Sequence, residues 1–431
     1  MPAPPTDDSR EIRETVVAAW RAESARLVGA LTRMTRDLGL AEDLAQDALV
    51  AALEQWPATG VPDNPGAWLM TVAKRRAVDH VRRVDRHDRK VSELERTATG
   101  KEDQVADLDE LVDHIEDDAL RLIFLSCHPA LTPESRAALT LRLVGGLTTA
   151  EIARGFLTSE STMGQRISRA KKTLVIAGAE LELPTGEERT RRLDDVIAVI
   201  YLVFNEGYAA TAGDDWMRPD LATEGMRLAR MLAAMTPEEP EVLGLQALLE
   251  IQGSRLAART DDEGRPVLLD DQDRSRWDQL LIHRGLAALE RATGLASRGV
   301  PVGKYFLQAS IAAEHARAAR AEDTDWPRIA GLYDVLARAA PGPVVEVNRA
   351  VAHGRAFGPE AGLAVLDAVD PGALGGSPLL LSVRGDLLER SGDPARAAAA
   401  FAEAAGLTDN AGERDLLLRR TQSARDAGST D

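Results

Sequence analysis

The chain has 431 residues, 44 % of them hydrophobic, a formal net charge of −17 and a single cysteine, Cys127. That length can bury more than one core, the lone cysteine excludes an intramolecular disulfide, and no run of about 18 apolar residues exists to span a membrane. Aromatic residues make up only 4 %, Ala, Leu, Arg, Glu and Asp dominate, and alternating apolar–polar stretches are nearly absent, so the expected fold is all-α. So acidic a total repels DNA at long range, and any DNA contact must come from a local patch.

In chain order, "MPAPPTDDSR" reads as a Pro-rich polar start, not a targeting segment; with the lone cysteine it points to a reducing cytoplasm. A first helical block follows from about residue 12 to 86. Within it, "GLAEDLAQDALVAALEQW" (Gly39 to Trp56) places Leu44, Ala48, Ala51 and Ala52 in an apolar stripe, with Asp43, Gln46, Asp47 and Glu54 elsewhere on the cylinder. "PATGVPDNPGAW", with three prolines and two glycines, must be a loop.

The next segment, "WLMTVAKRRAVDHVRR", is unusual in an acidic chain, because five of the ten residues Lys74 to Arg83 are basic. Written as a helix, Arg75, Asp79, Arg82, Arg83 and Arg86 share one arc, Ala73, Ala77, Val81 and Val84 the opposite one, and Trp68 falls on the ridge side. An aromatic ring beside guanidinium groups suits unpaired nucleic acid: the ring stacks on a base while the cations hold phosphates. The plainer reading is a solvated charged face with Trp68 half-buried at a helix start.

Residues 87–112 are charged and poorly apolar, which marks a linker. Some 25 residues reach roughly 80 Å when extended, enough to set two small modules about two turns of duplex, near 70 Å, apart. A second helical block runs from about residue 113 to 178. Thr132 and Pro133 open one helix as cap and first residue, Gly145-Gly146 ends it, and Thr148 and Glu151 have capping-box spacing. "LTTAEIARGFLTSESTMGQRISRAKKTL" then has the shape of a helix-turn-helix. Its second helix gathers Met163, Ile167, Ala170 and Leu174 on one face and projects Thr162, Gln165, Arg166, Arg169 and Lys172 from the other. Ser161, Thr162 and Gln165 are short enough to reach base edges, whereas Arg169, Lys171 and Lys172 suit phosphates.

After "LPTGEERTRR" the chain becomes a succession of Ala/Leu-rich helices, residues 186–425. Val344 to Val369 aligns with Leu379 to Ala405 at an offset of 35 residues, with Gly358-Pro359 and Asp393-Pro394 at the same turn and Ala350, Ala364 and Leu366 matching Gly385, Ala399 and Phe401. That period is near the tetratricopeptide repeat. Polar pairs set among these helices (Asn205-Glu206, Gln272-Asp273-Arg274, Asp325-Trp326, Asn348-Arg349) are either hydrogen-bonded struts inside a solenoid or the lining of a groove.

The segments "GLAEDLAQDAL", "NPGAWLMTVAKRRAVDHVRR" and "LTTAEIARGFLTSESTMGQRISRAKKTL", in this order and spacing, resemble regions 2 and 4 of bacterial RNA polymerase sigma factors of the extracytoplasmic-function (ECF) type. "YLVFNEGY", "DDQDRSRWD", "LQASIAAEHA", "DTDW" and "VNRAVA" resemble the subgroup with a long tetratricopeptide-like extension. The resemblance implies region 2 at residues 10–86, a linker at 87–112, region 4 at 113–178 and a regulatory extension at 186–425. Core polymerase would be met by Asp43, Gln46 and Asp47 with Leu44 as apolar support. The −10 element would be held by Asn64, Trp68, Arg75, Arg76, Asp79, Arg82 and Arg83, and the −35 element by Ser161, Thr162, Gln165, Arg166, Arg169, Lys171 and Lys172. The turn "GFLTSES" carries Leu157 or its neighbours where relatives usually have glycine, and many relatives have Asn where this chain has Arg75.

The partners implied are core RNA polymerase and promoter DNA, with a ligand or protein partner for the extension, no membrane and no cofactor. Catalysis finds no support: the histidines are scattered, Cys127-His128 has no companions at metal-ligand spacing, and Cys127 suits a packed helix. A helix-turn-helix regulator acting on duplex operator DNA is the main alternative, but it leaves the Asp43–Asp47 segment and the basic ridge without a role.

Overall fold

The computed structural model describes residues 7–93, 115–156, 158–209, 217–374 and 376–428. Most of the expected linker, and Leu157, lie outside them. The described residues form eighteen α-helices and five short 3-10 turns, and their only β pairing is an isolated bridge between Thr260 and Pro266. The chain divides into two compact units, Met1–Val199 and Ile200–Asp431.

The first unit begins with α1 (Asp7–Thr35), α2 (Leu38–Thr59) and α3 (Pro65–Glu93), packed on one another. Asp37 starts α2 by accepting the backbone N–H groups of Gly39 and Leu40 at 2.8 and 3.0 Å, which satisfies two of the donors a helix start leaves open. The stripe expected in α2 is the buried one, with Leu44, Ala48, Ala51, Ala52 and Trp56 all in the core. Small side chains let α1 and α2 approach closely, and Trp56 fills the far end. Helix α3 runs past the boundary read at Arg86, to Glu93.

Next come α4 (Ile115–Ser126), α5 (Pro133–Leu143), α6 (Thr149–Gly155) and α7 (Glu160–Ile176). Thr132 caps α5, and Thr148 with Glu151 forms the capping box of α6: each group satisfies a donor on the other's side of the turn. Ser159 caps α7 by accepting from Thr162 N, and Met163, Ile167, Ala170 and Leu174 are its buried face. Cys127 is buried as expected, its Sγ 3.4 Å from Thr140 Oγ1, and burial pushes its thiol pKa up to about 11.

Helices α4 and α5 pack on α1, and α6 and α7 pack on α5 and on each other. The indole N–H of Trp20 donates to Gly146 O at 2.9 Å, the Ser24 hydroxyl to Val144 O at 3.1 Å, and Arg33 pairs with buried Asp118 at 2.9 Å. Gly29 makes the contact possible, since a Cβ there would lie 2.5 Å from Asp118 O.

Helix α8 (Gly186–Tyr208) leads into the second unit, which continues with α9 (Pro219–Met235), α10 (Pro240–Gly253), α11 (Gln279–Ser297), α12 (Lys304–Arg317) and α13 (Trp326–Ala339). It ends with α14 (Pro343–Phe357), α15 (Pro359–Leu366), α16 (Leu379–Arg390), α17 (Pro394–Ala405) and α18 (Ala411–Gly428). Apart from α12, which packs mainly on α10, the helices from α9 onward pack mainly on their sequence neighbours, the arrangement of a solenoid. The 35-residue repeat is the pair α14–α15 against α16–α17, with proline opening the second helix of each. Ala350, Leu366, Gly385 and Phe401 are buried at matching places, and a Cβ on Gly385 would lie 2.5 Å from the Phe401 ring.

Most polar pairs of this unit act as struts. Glu206 pairs with Arg218, Asp273 caps a 3-10 turn, Asp325 caps α13, and Arg349 bridges Asp334 and Glu346 at 2.8 and 2.6 Å.

Candidate nucleic-acid interface

On α2, Asp43 and Asp47 are exposed and Gln46 is half-buried, its amide donating to Glu42 Oε1 at 2.7 Å. Leu44 sits where the apolar stripe places it. It is 6 % exposed and belongs to the core, because the position three residues after Ala41 turns inward with the alanine stripe. It supports the acidic face from behind and offers no apolar surface to a partner.

On α3, Leu69, Ala73 and Ala77 are the buried seam, and Arg75, Asp79 and Arg82 are exposed on the other side. The Arg83 side chain, and those of Val81, Val84 and Arg86, lie outside the described residues. Arg76 is half-buried and pairs with Asp47 at 3.1 Å, so one member of the acidic face neutralises one of the ridge. Asn64 is the α3 cap: its Oδ1 accepts Ala67 N–H at 3.0 Å, fixing how the loop before it enters the helix. Trp68 is half-buried, its ring meeting buried Trp56 at 5.4 Å between centroids and 70° between planes. That edge-type contact holds the ring in place at the start of the basic ridge.

On α7, Ser161, Thr162, Gln165, Arg169 and Lys172 are exposed, and Arg166 and Lys171 are half-buried. Ser159 and Thr162 share a hydroxyl contact of 2.8 Å at the helix start, and Arg169 donates to Gln165 at 3.4 Å, one turn away. The exposed row therefore places short polar groups before cations along the helix, as the sequence pattern predicts.

Sequence reasoning missed Glu42. Its carboxylate is almost fully buried, pairs with Arg142 Nε of α5 at 2.7 Å, and also holds Lys171 Nζ of α7. It thus ties the acidic helix α2 to the helix-turn-helix, and occupies a cation read as a phosphate contact. Only the odd placement of a carboxylate beside the alanine stripe could have signalled it, since its partners lie 100 and 129 residues away. Arg21 makes a second tie, to Glu151 at 2.8 Å. Burial pushes the Glu151 pKa up, but hydrogen bonds from Thr148 and the Arg21 guanidinium more than offset it, leaving the carboxyl below its ordinary value.

No group of three or more metal-ligating side chains is present among the described residues, and no described helix is long and apolar enough to cross a membrane.

Comparison with known proteins gives three family matches: residues 14–87 to Sigma-70 region 2, residues 121–174 to Sigma-70 region 4, and residues 192–293 to a family of unknown function (DUF6596). An uncharacterized protein of Rhizobium meliloti (strain 1021) is 44 % identical over 395 residues, 90 % of each chain. The ECF RNA polymerase sigma factor SigK of Mycobacterium sp. (strain KMS) is 30 % identical over 172 residues, covering 37 % of this chain and 82 % of SigK. The probable ECF RNA polymerase sigma factor SigI of Mycobacterium tuberculosis is 30 % identical over 161 residues, 37 % of this chain and 54 % of SigI. No solved structure matches the chain.

Proposed function

We propose, from the premise that this chain belongs to the ECF RNA polymerase sigma factors and so directs transcription, a division of that work among its helices. The exposed face of α2, Asp43, Gln46 and Asp47, meets a basic helical surface of core polymerase, where rim carboxylates govern on-rate and specificity. The segment Val61–Ala67, which is the loop before α3 and its first turn, and the ridge of α3 (Asn64, Trp68, Arg75, Arg76, Asp79, Arg82, Arg83) hold the opened −10 element. Unstacking a base costs a few kcal/mol, which an aromatic platform and phosphate contacts must offset. Helix α7 lies in the major groove of the −35 element, with Ser161, Thr162, Gln165 and Arg166 toward bases and Arg169, Lys171 and Lys172 on phosphates. Residues 10–86, 113–178 and 186–425 are the corresponding domains, the last one regulating the first two. The protein works beside polymerase in the cytoplasm.

The observation that carries this reading is the coincidence of surfaces. The residues matched to regions 2 and 4 present an exposed acidic face and two exposed basic helices within an acidic chain. The Glu42–Lys171 tie adds a condition: Lys171 reaches phosphate only after it leaves Glu42. The acidic remainder of the chain restrains binding to duplex when polymerase is absent, so the isolated N-terminal half should bind DNA more tightly at low salt than the full chain does.

Run-off transcription with purified core polymerase on the upstream DNA of the chain's own gene tests the reading. A specific transcript that depends on this protein is expected, and no transcript above core alone is the contrary result. Deleting residues 190–431 tests regulation: promoter output unchanged under all conditions contradicts it.

A further inference from the structure

The second unit contains a cavity of about 760 Å³, within the range of ligand sites. Its wall is built by α13, α14, α16 and α18, and its lid by the segment between α10 and α11 that carries "PVLLDD", Pro266 to Asp271. The wall contributes Arg355, Arg390, Arg419 and Arg420 against only Asp386 and Glu389, so it has an excess of cations. Arg420 is spoken for by both wall acids, and Arg390 also donates to Asp386 at 2.9 Å. Arg419 is exposed and makes no ion pair among the described residues.

The balance is restored by the lid. The Asp270 carboxylate accepts from Arg355 of α14 and, at 3.3 Å, from Arg390 of α16, partners 85 and 120 residues away. The Arg355 guanidinium also lies 4.5 Å from the centre of the Trp326 ring, and the buried Trp326 indole nitrogen, at the same cavity, has no hydrogen-bond partner. Two arginines from separate helices converging on one carboxylate, over an aromatic ring, form a recognition geometry. A strut inside a solenoid needs neither the open volume nor the spare donor. The segment that bounds it is anchored independently: Leu269 packs with Ala258, Trp277 and Ile282, and Val267 N donates to Arg259 O at 2.8 Å. Asp270 therefore enters the groove on a lid that holds its own shape.

We propose that this groove is a binding site for an acidic peptide of a partner protein, one or two apolar residues followed by carboxylates, and that Pro266–Asp271 is a built-in stand-in for it. The apolar part of such a peptide meets Val351, Val383 and Leu416, which line the same cavity. Because the stand-in is tethered, it competes at an effective concentration on the order of millimolar. The intact protein is thus a weak acceptor until the lid carboxylate is displaced. The inference is independent of the roles given to α2, α3 and α7.

The test uses the full chain and a fluorescein-labelled peptide of sequence Pro-Val-Leu-Leu-Asp-Asp, followed by anisotropy. Asp270→Asn should bind it at least about tenfold more tightly than the unaltered protein, the effect of removing one charge-assisted competitor. Adding Arg355→Gln to that variant should abolish the gain, and the peptide ending in Asn-Asn should not bind. Equal binding to both proteins, or of both peptides, overturns the proposal. So does equal competition by an oligo-dT of matched charge, which would assign the groove to nucleic acid. Hydrogen exchange on the unaltered protein needs no variant: saturating peptide should protect α14 and α16 and speed exchange in residues 266–271, and no change in either overturns the proposal.

Discussion

The two units of this molecule are held together by different means. In the second, helices stack on sequence neighbours through apolar contacts such as Phe401 on Gly385. In the first, helices far apart in sequence are joined by a few polar ties: Trp20 to Gly146, Arg33 to Asp118, and Glu42 to Arg142 and Lys171. Apolar stacking is lost only when the repeat unfolds. An ion pair, by contrast, can be exchanged for another charged partner, including a phosphate or a polymerase side chain. The difference separates a scaffold from a joint, and one residue of the joint, Lys171, is among those proposed to hold DNA.

Breaking the scaffold should have the largest effect. Phe401→Ala removes a fully buried ring that also lies 4.2 Å beneath the Arg420 guanidinium, and should cost about 3–5 kcal/mol in chemical denaturation. The loss should appear in a transition of residues 200–431, and a loss below about 1 kcal/mol would mean the repeat is not what stabilises that unit.

Breaking the joint should cost less and move more. Glu42→Gln keeps an acceptor for Arg142 but turns an amide donor on Lys171, for a loss of about 2 kcal/mol. Labels at Val50 and Ser168, both exposed, should then report a longer and broader distance by energy transfer, whereas an unchanged distance would show that Glu42 does not hold α7 to α2. Gly29→Ala separates propensity from packing. Alanine gains up to about 1 kcal/mol within a helix, yet its methyl would meet Asp118 O at 2.5 Å, and overpacking costs about 1–3 kcal/mol. A net loss of about 1 kcal/mol with unchanged helicity is expected, and a net gain would show that α1 and α4 part freely.

The smallest effect concerns pH. The Glu151 carboxyl is held below its ordinary value of 4.5, so its contribution to stability is present above about pH 4.5 and is lost as pH falls through the lower folded value. Glu151→Gln should flatten the acid limb of the stability profile by a small amount, since the group is partly exposed.

What the sequence made legible was local. The caps at Thr132 and Thr148–Glu151, the stripe of α7 and the 35-residue repeat all rest on spacings of a few residues or on direct comparison of two segments. Leu44 was legible as a member of the alanine stripe, whereas the way it backs the two aspartates from within the core depends on the packing of α1 on α2. The cap role of Asn64 was hidden behind its loop, although "NPGAW" has the asparagine–proline order of a helix start. Glu42 and Asp270 were out of reach for another reason: each takes its meaning from arginines or lysines 85 to 129 residues away, and a single sequence carries no record of that distance.

The two modules of the first unit are proposed to act together on polymerase and on DNA that polymerase has opened. Footprinting of the promoter of the chain's own gene, with permanganate to report unpaired thymines, tests it directly. With core polymerase, protection over the −35 element and reactive thymines at the −10 element are expected, and without it neither. A clear footprint on intact duplex by the purified protein alone, together with failure to associate with core polymerase, would contradict it.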